Sequence, residues 1–188
     1  MMEALGRLFD IGTGWAPVDI DTANGATGKR IALSGADAIT FVVFLGAAAS
    51  GADDLTFTLK QHTAYTGGTS NNLSAAAVSD TTGVDHYYTK SETTLDNDES
   101  WVRTAQTEAA TVVLLGATYA ATQKIVVIEV AAAQLAEGYT HISLDASLTT
   151  TAVQLASCLY FVHELRRNRM GAKVPQLGNL LRPTAANV

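Results

Sequence analysis

Cysteine occurs once in the 188 residues, which excludes an intrachain disulfide and leaves stability to packing. Cys158 lies in the apolar run from Leu155 to Val162, where a small buried thiol is expected. A reactive thiolate needs a positioned base and an electropositive setting. The sequence neighbours of Cys158 offer neither. Charge is also scarce, since Asp, Glu, Lys and Arg make up 16% of the chain. This low value favours a surface that another molecule covers.

Long apolar runs are missing as well. The longest, Phe41 to Ala49, is much shorter than the roughly 20 residues that a membrane-spanning helix needs. The N-terminus lacks the basic start and the apolar core of a secretory signal. We therefore expect a protein that is made in a cytoplasm and has no membrane partner.

Motifs typical of enzymes and metal proteins are absent. None of the four histidines stands at a metal-ligand spacing from another ligand. The acidic stretches 53–54 and 96–99 do not match a calcium loop with ligands at alternate positions, so turn and cap roles are favoured over Ca²⁺ binding. The sequence has no phosphate-binding glycine loop, no G-x-S-x-G and no convincing acid pair. It therefore predicts no enzyme, no cofactor and no metal site.

The stretch from Ser34 to His62 predicts two strands and their connection. Ile39 to Leu45 is almost wholly apolar, so we expect both faces of that strand to be covered. Leu55 to Lys60 alternates strictly, which predicts one buried face and one solvated face. The buried face would carry Leu55, Phe57 and Leu59.

Further strand patterns follow along the chain, and helix patterns are almost absent. Val153 to Leu165 has the length of a helix, but its succession of Cys, Tyr, Phe and Val favours a buried strand. Residues 131–137 predict one helical turn that ends at Gly138. The whole predicts an all-β sandwich of about eight strands over residues 18–167. The other strand candidates are Val18–Ile20, Lys29–Leu33, Val84–Thr94, Thr111–Leu115, Lys124–Val130 and Thr140–Leu144.

Both ends of the chain read as arms, over residues 1–17 and 168–188. Each carries large apolar side chains that are too sparse for a core of their own, so we expect them to contact a partner. Basic residues near the root of the C-terminal arm favour an acidic protein surface over nucleic acid as that partner. The candidate contact residues are Trp15, Arg166, Arg167, Arg169, Leu177, Leu180 and Leu181.

Three segments resemble a class of small structural proteins of tailed bacteriophages, and they occur in the order seen in that family. They are strand-and-turn patterns rather than catalytic signatures, and they lie between Ile31 and Arg166. The segments are Ala38–Gly46 with Gly51–Gln61, Ile125–Val130 with Ala133–Leu135 and Gly138–Ile142, and Ala152–Val162.

The resemblance implies a virion protein with a β-sandwich body, jelly-roll-like, without cofactor or catalytic residue. It favours a capsid decoration or cement protein that binds the major capsid protein on the capsid surface as a homo-oligomer, a trimer being one form. One alternative is a head–tail or tail component. Another is a carbohydrate- or host-binding sandwich, with an aromatic platform of Tyr65, Tyr87, Tyr88 and Trp101.

Overall fold

The computed structural model describes residues 9–21, 25–48, 54–74, 82–96, 98–116, 121–148 and 153–163. Within these ranges the chain forms eleven β-strands and one short 3₁₀ turn, Ala132–Gln134. The strands are β1 (Asp10–Asp19), β2 (Ile31–Ala32), β3 (Ala38–Leu45), β4 (Leu55–His62), β5 (Ser70–Asn72), β6 (Val84–Glu92), β7 (Val102–Ala109), β8 (Thr111–Leu114), β9 (Gln123–Ala131), β10 (His141–Ser147) and β11 (Leu155–His163).

The strands form two antiparallel sheets that pack face to face. The six-stranded sheet has the order β1-β11-β3-β9-β6-β7, and the five-stranded sheet has the order β2-β10-β4-β5, with β8 also paired to β4. From β1 to β4, and again from β7 to β11, consecutive strands alternate between the two sheets. The predicted all-β sandwich is therefore confirmed.

The core lies between the sheets and is built mainly from alternate residues of β3, β4, β8, β9 and β10. Leu55, Phe57 and Leu59 of β4 are buried, as their alternation predicts. Ile39 and Phe41 of β3 face them from the other sheet and are fully buried too. The two strands of the stretch from Ser34 to His62 thus belong to opposite sheets, and each supplies one side of the same core.

The prediction that both faces of β3 are covered is wrong. Alternate residues from Ile39 to Leu45 point into the core, while Thr40 and Val42 are half-buried and Phe44 is 41% exposed. The reason is that, among the described residues, no second sheet or helix packs on the outer side of the six-stranded sheet. β3, although almost wholly apolar, therefore has one face at the surface.

The assignment of residues 1–17 to an N-terminal arm is also wrong for residues 10–17, because they belong to β1 and pair with β11, while residues 1–8 lie outside the described residues. Thr13 pairs with Leu159 on the outer face, but a register shift follows and Trp15 pairs with Cys158 on the inner face. Such a bulge turns a side chain to the other side of its sheet. Trp15 is only 5% exposed, so it is a core residue and not an exposed partner contact.

The predicted helical turn is confirmed in a shorter form, Ala132–Gln134, and Gly138 follows it with φ of +82°. The predicted C-terminal arm, with Arg166, Arg167, Arg169, Leu177, Leu180 and Leu181, lies outside the described residues. Over the described ranges no helix has the length and apolar character that a bilayer crossing requires.

Candidate functional site

The outer face of the six-stranded sheet carries apolar side chains in register across four strands. Tyr88 of β6 lies beside Val127 of β9, which lies beside Val42 of β3 and then Leu159 of β11. In the next row Lys90, Ile125 and Phe44 are neighbours in the same way. An antiparallel sheet with one free face normally alternates apolar and polar residues, with the polar ones outside. These two rows are instead mostly apolar, while the same face also carries Arg103 opposite Tyr88 and Glu129 opposite Thr40.

An apolar cleft opens at the β6–β7 end of this face. Tyr88, Trp101 and Val127 line this open cleft, which has a volume of about 310 Å³ and almost no polar atoms in its lining. Trp101 is 51% exposed, and the Nζ atom of Lys90 lies 5.3 Å from the centre of its ring. That cation–π contact fixes the indole at the mouth of the cleft. An apolar side chain fits this chemistry better than a sugar, whose hydroxyls would find few partners.

Four acids lie at the same end of the sheet, where β6 ends and the turn towards β7 begins. One carboxylate oxygen of each lies within 4.8 Å of the others, and all four acids are exposed or half-buried. Neighbouring negative charges, that of Asp98 foremost, raise the pKa of Glu92. This acidic cluster consists of Glu92, Asp96, Asp98 and Glu99.

Turn chemistry accounts for part of the acidic cluster. The backbone N–H of Asp96 donates to Glu99 Oε1 at 2.6 Å, and that of Asp98 donates to Asp96 Oδ1 at 3.4 Å. These are the turn and cap roles that the sequence favoured over calcium binding. The cluster has the ligand type for a hard cation, but it makes this part of the surface negative in any case.

A polar network occupies the outer face of the five-stranded sheet. His62 is 4% exposed and lies between two hydroxyls, with Ser70 Oγ 2.7 Å from Nδ1 and Ser143 Oγ 2.9 Å from Nε2. Burial and the nearby Arg30 guanidinium lower the pKa of His62 to about 4. The ring is therefore neutral at physiological pH and satisfies both hydroxyls.

Arg30 adds three hydrogen bonds to this network. Its guanidinium donates to the backbone oxygens of Ala64 (2.9 Å) and Gly67 (2.5 Å) and to Ser70 Oγ (3.1 Å). It therefore fills the loop between β4 and β5 and ties it to the sheet. We interpret the His62 network as structural, because its contacts tie the β4–β5 loop to β4 and β4 to Ser143 of β10.

The predicted aromatic platform is divided by the fold. Tyr88 and Trp101 meet in the apolar cleft, but Tyr87 points the other way and packs against the core. Tyr65 is 68% exposed in the β4–β5 loop, where its ring lies 6.3 Å from that of His141. The cleft residue Val127 was missed by the sequence interpretation, because only the register of β6 against β9 places it beside Tyr88.

Comparisons of this chain with family models, with curated proteins and with solved structures found no match.

Proposed function

We propose that the protein is a non-enzymatic structural protein of a virion, a decoration protein that binds the lattice of the major capsid protein through the outer face of its six-stranded sheet. The observation that carries this proposal is the apolar character of that face. A contiguous apolar surface in a water-soluble domain is typical of a protein–protein contact. Its centre holds aromatic and aliphatic side chains and few charges, as the centres of interfaces do.

The order of the strands supports a virion role. Within the six-stranded sheet β1, β11, β3 and β9 are neighbours, and β2, β10, β4 and β8 are neighbours in the other sheet. This order, with strands alternating between the sheets, is the one that we associate with a jelly roll, a fold used by viral capsid proteins and by lectins. The β6–β7 hairpin extends one edge of this arrangement and carries the cleft.

The experiment that tests the proposal is a count of copies per particle in purified virions by quantitative mass spectrometry. Decoration of a capsid lattice requires hundreds of copies, because each lattice position repeats by symmetry. About a dozen copies would place the protein at the portal vertex or in the tail instead. Absence from the particles would overturn the virion role.

A variant tests whether the outer face is the contact. Phe44→Lys places a charge in the middle of that face, where an interface would leave it unpaired, so binding to assembled shells should fall at least tenfold (~1.4 kcal/mol). Val113→Lys is the matched control, because Val113 is similarly exposed, at 37%, but lies on β8 of the other sheet. Equal shell binding by both variants would contradict the assigned face.

The carbohydrate-binding alternative is favoured by one observation, the exposed ring of Trp101 beside Tyr88. Aromatic faces of this kind stack on sugar rings. A glycan array decides between the two, because a lectin binds as an isolated protein and a decoration protein binds only assembled shells. Glycan binding that Trp101→Ala abolishes would replace the decoration proposal.

A further inference from the structure

The apolar cleft and the chain beyond β11 have complementary chemistry. The segment 166–181 begins with Arg166, Arg167 and Arg169 and contains no acid. Its apolar side chains are Met170, Val174, Leu177, Leu180 and Leu181. The cleft is apolar and is flanked by the acidic cluster. A basic, leucine-bearing peptide is therefore the occupant that this site fits.

The acidic cluster favours a cationic neighbour for a further reason. Four carboxylates close together repel one another, and the raised pKa of Glu92 reports that repulsion. Lys90, the nearest cation on the same strand, is engaged with the Trp101 ring. Guanidinium groups brought next to the carboxylates would relieve the repulsion and form paired hydrogen bonds with them.

We propose that the segment 166–181 of one copy docks on a second copy of this chain, with its arginines against the acidic cluster and Val174 or Leu177 in the apolar cleft. The inference rests on the proposed function, since it links neighbouring copies of an assembling protein. It assigns to the C-terminal arm a binding site on the chain itself.

Distances within the sheet favour a second copy over the same chain. His163 is in register with Ala38 and Ala131, while Glu92 is in register with Gln123 at the opposite end of β9. Eight residues along β9 and three strand spacings separate the two positions, roughly 30 Å in all.

Arg166 and Arg167 of the same chain fall short of that distance. Arg166 and Arg167 are three and four residues beyond His163, so a fully extended chain carries them at most about 14 Å. Arg169, six residues beyond, carries its Cα at most about 21 Å, so it would approach the cluster only with a fully extended chain and a fully extended side chain. A neighbouring copy has no such limit, so the charge match points to a contact between chains.

The contact joins two different surfaces, because the donor segment starts at one end of the sheet and the acceptor cleft lies at the other. Such a head-to-tail contact produces closed rings or extended chains rather than symmetric dimers. We therefore expect self-association that grows with concentration and weakens as salt screens the charges.

Charge reversal on each side of the contact tests the inference in the full-length protein. Arg166→Glu with Arg167→Glu alters the segment, and Glu92→Lys with Asp98→Lys alters the acidic cluster. Sedimentation velocity should show that each double variant self-associates at least about tenfold more weakly than the unaltered chain at low salt, because like charges then oppose each other. Asp21→Lys with Glu137→Lys is the control for the second variant and should have no such effect.

Mixing the two reversed proteins separates contacts between chains from contacts within one chain. In the mixture each segment finds a cluster of opposite charge on the other protein, so association should return. If the mixture stayed dissociated at low salt, the inference would be overturned.

The apolar side of the contact needs its own variant. Trp101→Ala should raise the dissociation constant of self-association about tenfold or more, as truncation of a buried aromatic anchor commonly does. Tyr65→Ala is the matched control, since Tyr65 is also an exposed aromatic residue but lies in the loop between β4 and β5, away from the cleft. Unchanged association in Trp101→Ala, or a chain that stays monomeric at every concentration, would also overturn the inference. High copy number on virions would then leave the proposed function standing.

Discussion

Trp15 joins the two sheets through a single side chain. Its backbone belongs to β1 of the six-stranded sheet, while its indole Nε1–H donates to the backbone oxygen of Leu144 in β10 of the other sheet at 3.0 Å. The hydrogen bond is buried, so its loss leaves a carbonyl group without its partner.

Trp15→Phe should therefore lower the free energy of unfolding by about 1–3 kcal/mol, through the unpaired Leu144 oxygen and the lost ring volume. Trp101→Phe is the matched control and should change it by less than about 0.5 kcal/mol, because the Trp101 side chain is half exposed. Urea titration of both variants measures the difference. Equal losses would contradict the buried position of Trp15.

His62 makes stability depend on pH in a defined direction. Its pKa is lowered to about 4 in the folded protein, against 6.5 for an unperturbed histidine. Between these values the unfolded chain binds more protons, so the free energy of unfolding falls as the pH is lowered from about 6.5 to about 4. Above about 6.5 the ring is neutral in both states and contributes no such loss.

His62→Gln isolates this contribution, because glutamine offers hydrogen bonds and does not protonate. The pH dependence of the free energy of unfolding should be shallower in the variant over this window. His141, whose pKa is also lowered by burial, is present in both proteins and cancels in the comparison. Parallel curves for the two proteins would show that His62 does not carry the effect.

At the scale of elements, β4 has the clearest alternation of apolar and polar residues in the sequence. Phe57→Asp should unfold the body, since a carboxylate on the buried face of β4 has no partner. Thr56→Asp is the control on the outer face of the same strand and should leave the protein folded. Circular dichroism and melting temperature distinguish the outcomes. A folded Phe57→Asp variant with unchanged melting would contradict the position of Phe57.

The contrast between β4 and β3 shows what a strand pattern in the sequence can predict about burial and what it cannot. Strict alternation in β4 determines which face is buried, because polar residues mark the other face. β3 is apolar on both sides. Its pattern therefore cannot show whether its second face is covered by the same chain or by a partner. The bulge that turns Trp15 inwards depends on pairing between residues far apart in the sequence, so local patterns did not predict it.

The candidate site was predictable only in its parts. Trp101 and Tyr88 were candidate contact residues from their type, but 13 positions separate them. The antiparallel pairing of β6 with β7, in which Thr89 meets Val102, brings Tyr88 and Trp101 to one cleft. Tyr87, the neighbour of Tyr88 on β6, lies on the core side of the sheet. The aromatic platform predicted from residue types therefore combined residues from two different faces.

At the scale of the whole molecule, the last strand among the described residues ends at His163, and the segment predicted to be a C-terminal arm follows it in the sequence. Deletion of residues 170–188 should therefore leave the melting temperature unchanged. It removes Leu177, Leu180 and Leu181 but keeps Arg166, Arg167 and Arg169, so it separates the apolar part of attachment from the electrostatic part.

The truncated protein should bind shells more weakly than the full chain at every salt concentration, because the apolar side chains of the arm no longer bury surface on the neighbouring copy and the bound copies no longer support one another. The attachment that remains should weaken further between about 0.05 and 0.5 M salt, since screening acts on the arginines that are left. Co-sedimentation with shells across a salt series measures both effects. If the truncated protein attached as tightly as the full chain throughout the series, the arm would have no part in attachment, and the outer face of the six-stranded sheet alone would carry it.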